Sequence, residues 1–197
     1  ATDDERVMQA CKSFGGKCVM TSAKHQSGTD RIAEAVKDIE VDIVVNLQAD
    51  EPEIDPASID YLVELLAGDG NASMATLVTG FDNAGQVADP NIVKAVTDQN
   101  GRAIYFSRSP VPYDRDNAGI GDVSMYLRHL GIYAYRKDFL MEITKRPQTR
   151  LELTEKLEQL RVIENGYSII TGKVKQAWTG IDTPDQYAEF VERIKSE

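Results

Sequence analysis

Cysteine is scarce in this 197-residue sequence, and long apolar runs are absent from it. Only Cys11 and Cys18 occur, and their spacing is not that of a metal site, so we expect two reduced thiols and no disulfide-built scaffold. No apolar run reaches the roughly 18 residues of a membrane-spanning helix, and no basic-then-apolar signal peptide is visible. These absences predict a cytoplasmic protein that does not bind membranes.

Positively charged residues are also fewer than negatively charged ones. The sequence has 22 Lys and Arg and 32 Asp and Glu, which gives a formal net charge of -10. A field of this sign repels nucleic acid and anionic membranes. It still permits a small anionic substrate, since local arginines, lysines or a metal can invert the potential inside a cleft. The sequence contains no phosphate-binding P-loop, Gly-x-Ser-x-Gly elbow, Cys₂His₂ pattern or His-Glu-x-x-His motif.

Helical and strand patterns alternate over the first eighty residues, which predicts an α/β layered fold. The segment 41–47 is nearly all apolar and β-branched, which is typical of a strand covered on both faces in a parallel sheet. The predicted elements of this half are helices over 2–14, 27–39 and 56–66, and strands over 17–21, 41–47 and 73–79.

The second half is richer in strands. Asn100-Gly101 separates two strand-like runs, 93–98 and 102–107, and predicts a hairpin. Further along we expect a loop over 109–124, strands over 127–135 and 167–173, and helices over 151–165 and 184–194. The sequence therefore predicts one α/β domain over 1–197, with a β-rich insert at about 93–136.

Polar side chains follow the apolar strand 41–47. Asp50 and Glu51 come directly after it, and ligands in open α/β sheets bind beyond the carboxyl ends of strands. Carboxylates there suit a hard cation such as Mg²⁺, which binds through one or two carboxylates plus substrate phosphates. The alternative is that Asp50 and Glu51 only begin a turn before Pro52.

Two junctions between a strand and a helix carry further candidates. Around Ser27, free backbone N–H groups can meet phosphate or base edges, with Arg31 in reach; alternatively Ser27 or Thr29 only caps the helix. Asp182, before the last helix, is either a second metal carboxylate or a cap ahead of Pro184.

Two other patterns stay open between a functional and a structural role. His129 alternates along a strand and is either a catalytic residue or a hydrogen-bonded core residue. Glu152, Glu155 and Glu158 lie on a predicted helix, where acidic side chains are usually solvated.

Several blocks of the sequence, taken in order, resemble the 3-deoxy-manno-octulosonate cytidylyltransferases, also called CMP-Kdo synthetases. The resemblance covers residues 1 to about 185 and rests on ATDDERV, HQSGTDRIAE, VVNLQADEP, NIVKAV, IYFSRSPVPYDRD, YLRHLGIYAYR, LExxEKLEQLR and GIDTP. It implies a nucleotidyltransferase-type (nucleotide-diphospho-sugar transferase-like) mixed sheet flanked by helices, and a homodimer. The implied reaction joins CTP and the sugar acid Kdo into CMP-Kdo and pyrophosphate with Mg²⁺, for lipopolysaccharide biosynthesis.

The resemblance also assigns residues by their motifs. Asp50 and Asp182 match the catalytic carboxylates that bind Mg²⁺. The residues that match the nucleotide side are Ser27, Gly28, Thr29, Arg31 and Gln48. Those that match the sugar side are Arg108, His129, Tyr133, Glu158 and Gln159; an arginine and a histidine suit the carboxylate of the sugar.

The sequence departs from the family at two places. Ala49 stands where the family usually has glycine, beside the metal-binding Asp50. The strand and the Arg- and Lys-bearing loop with which the family opens are not present, so we expect this chain alone to be inactive or nearly so. Three alternatives remain: a related CMP-sialic acid synthetase, a non-catalytic paralogue that dimerises or binds CTP, and a structural domain without a ligand.

Overall fold

The structure, a computed structural model, describes residues 1–25, 27–175, 180–181 and 183–196. A single-turn 3₁₀ helix covers Val123–Met125. The helices are α1 (Glu5–Ser13), α2 (Gly28–Val36), α3 (Pro56–Gly68), α4 (Ala84–Ala88), α5 (Lys137–Ile143), α6 (Arg150–Glu155), α7 (Gln159–Glu164) and α8 (Pro184–Ser196). The strands are β1 (Ile43–Asn46), β2 (Met74–Thr79), β3 (Lys94–Thr97), β4 (Ala103–Ser107), β5 (Leu127–Arg136) and β6 (Ile169–Lys173).

The strands form one mixed six-stranded sheet in the order β4-β3-β5-β2-β6, with β1 paired to β5 as well. Among the strands of the described residues, β2 and β6 pair in parallel and the other pairs are antiparallel. The ten-residue β5 is long enough to pair with three strands, so its residues lie at the centre of the molecule. The predicted α/β fold, a mixed sheet flanked by helices, is confirmed.

Apolar side chains cover both faces of the sheet. One buried cluster joins the sheet to α2, α5 and α7 through Ala33, Leu140 and Leu160. The other joins it to α3 through Leu62 and Leu66, both of which are fully buried. All six residues of β2 are buried, which places that strand between the two helical layers. Among the described residues, no helix is both long and apolar enough to cross a membrane.

Three sequence predictions about the elements are wrong. The segment 17–21 forms no strand and contributes only an isolated bridge between Thr2 and Met20. The strand predicted over 41–47 is present as β1, but its partner β5 runs antiparallel to it. The helix predicted over 151–165 is two helices, α6 and α7, because Lys156 adopts a left-handed conformation (φ 55°) that ends the first.

Candidate active site

The loop after β1 presents polar side chains at the edge of the sheet. Val44 and Asn46 are buried in the strand, whereas residues 47–50 are exposed, so Gln48 and Asp50 lie on an open surface. The Glu51 N–H donates to the Gln48 carbonyl at 3.3 Å and turns the chain toward α3. The carboxylate of Asp50 is thus accessible to a ligand without rearrangement of the fold.

Asp50 also contacts the segment that leads into the last helix. The Ile181 N–H donates to the Asp50 carbonyl at 2.7 Å. A Cβ on Gly180 would lie 3.5 Å from the same oxygen, so the two backbones run in close contact. Asp182, the predicted partner carboxylate, lies outside the described residues. The structure therefore brings together the segments that carry the two predicted carboxylates, as far as Ile181.

A divalent cation is compatible with this loop. In the described part of the chain, no group of three His, Cys, Asp or Glu side chains could hold a metal by itself. Mg²⁺ does not require such a group, because it binds through one or two carboxylates and completes its shell with water and substrate phosphates. The exposed carboxylate of Asp50 fits this mode of binding.

Ser27, Gly28 and Thr29 form the start of α2. The Ser27 hydroxyl accepts from the Asp30 N–H at 3.1 Å and caps the helix, as one of the sequence interpretations held. Gly28 is exposed, and beyond its chain neighbours and its own helix a Cβ there would meet no atom of the described residues within 4 Å. Free N–H groups of a helix start next to open space can bind an anion or a polar base edge.

Arg31 lies within α2 and faces the N-terminal residues. Its guanidinium donates from Nη1 to the Thr21 hydroxyl at 2.7 Å and lies 3.0 Å from the Asp3 carboxylate. Both contacts fasten the first segment of the chain to α2. About a fifth of the side chain is exposed, so part of the guanidinium still reaches solvent.

A cavity of about 260 Å³ opens beside the first half of β5. Its size is close to the lower end of the usual range for small-molecule pockets, roughly 300–1,000 Å³. The segment 91–93 forms one part of its lining, and Leu157 and Gln159 form another. The strand itself contributes Arg128, His129, Gly131 and Tyr133. Three residues of the predicted sugar side, His129, Tyr133 and Gln159, thus line one cavity.

Gln159 is a polar group with unused hydrogen-bonding capacity in this cavity. Its side chain is 3% exposed, and its Oε1 accepts from the Tyr133 hydroxyl at 3.2 Å. Among the described residues, no acceptor lies within reach of its buried Nε2. Buried donors are almost always paired in native proteins, and an unpaired one costs about 1–3 kcal/mol. Gln159 therefore carries a donor that the described residues leave unpaired, in a side chain that lines the cavity.

His129 is buried between two aromatic rings. Phe106 lies edge-on with its ring centroid 4.9 Å away, and the Tyr133 centroid lies at 5.5 Å. Its Nε2 is 3.0 Å from the hydroxyl of Thr76, which itself donates to backbone carbonyls of β5. A hydroxyl has one proton, and when Thr76 gives it to a carbonyl of β5, Nε2 is the donor to Thr76. Burial lowers the pKa of His129 to about 3, and the ring is neutral at pH 7.

This depressed pKa predicts a pH dependence of stability. The unfolded imidazole titrates near 6.5 and the folded one near 3, so the unfolded chain holds the extra proton between these values. The contribution of the neutral His129 to the free energy of unfolding is complete above pH 6.5. It is lost as the pH falls, by about 1.4 kcal/mol per pH unit. Urea denaturation at pH 7.5, 6.5 and 5.5 should show a steeper loss for the wild type than for His129→Gln. Equal slopes for the two proteins would contradict the buried neutral histidine.

Glu158 lies in the break between α6 and α7, beside the start of α2. Burial raises the pKa of Glu158, whereas hydrogen bonding by the Thr29 side chain and the charge of Arg161 act in the opposite direction. The Thr29 side chain also bonds Tyr135, whose pKa burial raises. A residue of the predicted nucleotide side thus contacts a residue of the predicted sugar side.

Arg108 faces backbone oxygens in the structure. Its Nε donates to the Glu155 carbonyl at 2.7 Å, and its Nη1 donates to the Pro90 carbonyl at 2.9 Å. The Glu155 carboxylate in turn accepts from the Arg108 N–H at 2.9 Å and from the Ser107 hydroxyl at 2.7 Å. Arg108 therefore joins the end of β4 to α6 and to the segment before the cavity wall.

Several buried charged residues near the cavity were not singled out as site residues. Glu152 is 4% exposed and pairs with Arg161, so the interpretation of this glutamate as solvated is wrong. Lys94 is fully buried in β3. Its sequence signal was visible, since a lysine interrupts the apolar run of NIVKAV at a position that faces the core.

Comparison with known proteins identifies the class to which this fold and site belong. Residues 1–170 match the cytidylyltransferase family. A structure of CMP:2-keto-3-deoxy-manno-octonic acid synthetase complexed with CTP superimposes with a TM-score of 0.90 and 42% identity, over 99% of this chain and 78% of that one. The fold is that of a nucleotidyltransferase.

Curated relatives narrow the class to one family. The 3-deoxy-manno-octulosonate cytidylyltransferase of Geobacter metallireducens is 45% identical over 98% of this chain and 79% of its own length. The enzyme of the same name from Solibacter usitatus is 47% identical over 98% of this chain and 75% of its own. The chain belongs to the 3-deoxy-manno-octulosonate cytidylyltransferase family.

Proposed function

We propose that this chain transfers the cytidylyl group of CTP to the anomeric hydroxyl of 3-deoxy-manno-octulosonate and releases pyrophosphate. The observation that carries the proposal is the TM-score of 0.90 with a CTP-bound synthetase of this sugar acid, at 42% identity. The product, CMP-Kdo, would supply lipopolysaccharide biosynthesis.

The reaction requires positioning more than covalent chemistry by the protein. The sugar hydroxyl oxygen forms a bond to the α-phosphorus, the bond from that phosphorus to the bridging oxygen breaks, and pyrophosphate leaves with the electron pair. The hydroxyl proton is released. Such transfers depend on an in-line arrangement of the two substrates and on neutralisation of charge. The Thr29–Glu158 contact supports a site in which nucleotide and sugar lie side by side.

We infer that the divalent cation is Mg²⁺ and that Asp50 holds it, with Asp182 as the second carboxylate. When bound, the cation would neutralise phosphate oxygens. On the nucleotide side, the start of α2 with Ser27, Gly28 and Thr29 offers backbone N–H groups, and we assign Arg31 and Gln48 to the same side. These assignments rest on motif matches and on the exposure of the loop and of the helix start.

We place the sugar acid in the cavity beside β5. The unpaired Nε2 of Gln159 supports this, because it offers a donor to a sugar oxygen. Tyr133, His129, Glu158 and Arg108 complete the proposed sugar side, with Arg108 acting through the cavity wall that it binds. The neutral His129 serves as a hydrogen-bonding group rather than as a cation.

We also propose that the region 93–136 forms the contact of a homodimer. Ile104, Tyr113 and Met125 expose more than half of their surface there. Exposed apolar side chains grouped on one region are typical of protein interfaces.

The proposed activity is tested by pyrophosphate release with CTP, Mg²⁺ and either 3-deoxy-manno-octulosonate or a sialic acid. We expect release to depend on the octulosonate and to be at least about tenfold slower with sialic acid. Equal rates with the two acids, or release without any acceptor, would contradict the assignment.

A further inference from the structure

Lys94 is a buried cation for which the proposed reaction has no role. It lies in β3 with no exposed surface, and its Nζ donates to the carbonyls of Asp89 at 2.9 Å and of Ile92 at 2.7 Å. A buried ammonium group is costly to desolvate and is retained only where partners compensate. Both of these partners belong to one short segment, residues 89–92.

That segment leads directly into one wall of the cavity. Asn91, Ile92 and Val93 line the cavity. The Val93 carbonyl accepts from the backbone N–H of His129 at 2.9 Å. The segment itself is a tight turn, in which the Ile92 N–H donates to the Asp89 carbonyl at 3.2 Å. The position of this segment therefore shapes the cavity that Gln159 also lines.

A second cation holds the same segment. Arg108 donates to the Pro90 carbonyl at 2.9 Å, so the carbonyls of Asp89, Pro90 and Ile92 all accept from Lys94 or Arg108. Burial lowers the pKa of Lys94. The negative charges of Asp89 and Glu155 raise this pKa, and the positive charge of Arg108 lowers it. Two cations thus bond the carbonyls of one four-residue segment.

We propose that Lys94 is a positioning residue of the sugar site: it clamps residues 89–92 and so sets the cavity wall at Asn91–Val93. The proposal deepens the proposed function and rests on it for the identity of the sugar. It predicts that Lys94 acts on sugar binding through its two hydrogen bonds rather than through contact with the ligand.

Three variants separate positioning from simple stability. Lys94→Met removes both donors and the charge at nearly the same length, and Lys94→Gln removes the charge but keeps an N–H₂ group. Lys145→Met replaces an exposed lysine remote from the cavity and serves as the control. Each protein is measured by hydrogen exchange of the segment 89–93 against β2, and by calorimetric titration with 3-deoxy-manno-octulosonate.

We expect Lys94→Met to raise exchange at 89–93 with β2 unchanged, and to weaken sugar binding about tenfold, or about 1.4 kcal/mol. Lys94→Gln should recover most of that affinity, and Lys145→Met should match the wild type. Unchanged exchange at 89–93 in Lys94→Met would overturn the clamp. Raised exchange with unaltered sugar affinity would overturn its role in the site. If the wild type bound no sugar, the proposed function would fail, while the exchange result would still decide whether Lys94 clamps the segment.

Discussion

Asp50→Asn is expected to lower the rate of pyrophosphate release on the order of 100-fold or more. The substitution preserves size and removes one negative charge from the loop after β1. A bound divalent cation contributes several kcal/mol of charge stabilisation to such a transfer, and about 3 kcal/mol corresponds to roughly 100-fold in rate. The contact between Asp50 and Ile181 should survive, because it uses the main-chain oxygen.

Stability distinguishes this loss from unfolding. Asp50 is exposed, so Asp50→Asn should change the free energy of unfolding by no more than about 0.5 kcal/mol. Asp60→Asn, at an exposed position within α3, is the matched control and should retain full activity. If the Asp50→Asn protein retained at least half of the wild-type rate at saturating Mg²⁺, the assignment of Asp50 as a metal ligand would be wrong.

The elements that the sequence predicted well carry their signals locally. Ser27 caps α2 through the Asp30 N–H three residues later, a pattern that depends on neighbouring residues alone. The hairpin between β3 and β4 turns at Asn100-Gly101, where Gly101 has the positive φ of 79° that a residue with a Cβ adopts at a cost. Such signals need no knowledge of the rest of the chain.

Predictions that required a partner in space were the ones that failed. The apolar run of β1 indicated burial on both faces, but nothing in it distinguishes a parallel neighbour from the antiparallel β5. The leucine pattern of 151–160 continues across α6 and α7, and the break depends on the left-handed Lys156. No local residue preference requires that conformation, since lysine usually favours a continuous helix.

The candidate site likewise has features that the sequence predicts and features that only the structure reveals. Motif matches identified Gln159 and Tyr133, but the unused Nε2 of Gln159 becomes visible only when its surroundings are known. The two hydrogen bonds of Lys94 depend on the path of the main chain at Asp89 and Ile92. Contacts to backbone carbonyls leave no trace in the residue types of the acceptors, so sequence alone cannot reveal them.

We expect the second large effect at the buried ion pair of Glu152 and Arg161. This pair joins α6 to α7 across the break between them. The Arg161 Nε and Nη2 donate to the two carboxylate oxygens at 2.9 and 2.5 Å, and both side chains are more than nine-tenths buried. Arg161→Met leaves the carboxylate buried with the Thr149 N–H at 3.0 Å and the Gln148 amide at 3.5 Å. We expect a loss of about 3–5 kcal/mol in the free energy of unfolding, measured with urea.

A double variant separates the ion pair from the packing around it. A buried ion pair stabilises a protein little more than apolar side chains of similar volume would, because the cost of desolvation offsets the attraction between the charges. The protein with both Glu152→Met and Arg161→Met should therefore be more stable than Arg161→Met alone. Glu192→Ala, which breaks the exposed pair of Glu192 and Lys195, is the control and should cost less than about 1 kcal/mol.

The same variants test whether the pair supports the site. The pair links the helices on either side of the break that presents Glu158 and Gln159. Rotation of α7 after loss of the pair would move Gln159 away from the cavity that it lines. We therefore expect the double variant to recover stability without recovering affinity for the sugar acid. A loss of under 1 kcal/mol in Arg161→Met would instead mean that water reaches Glu152, and that the break is held by the packing of Leu157 and Leu160.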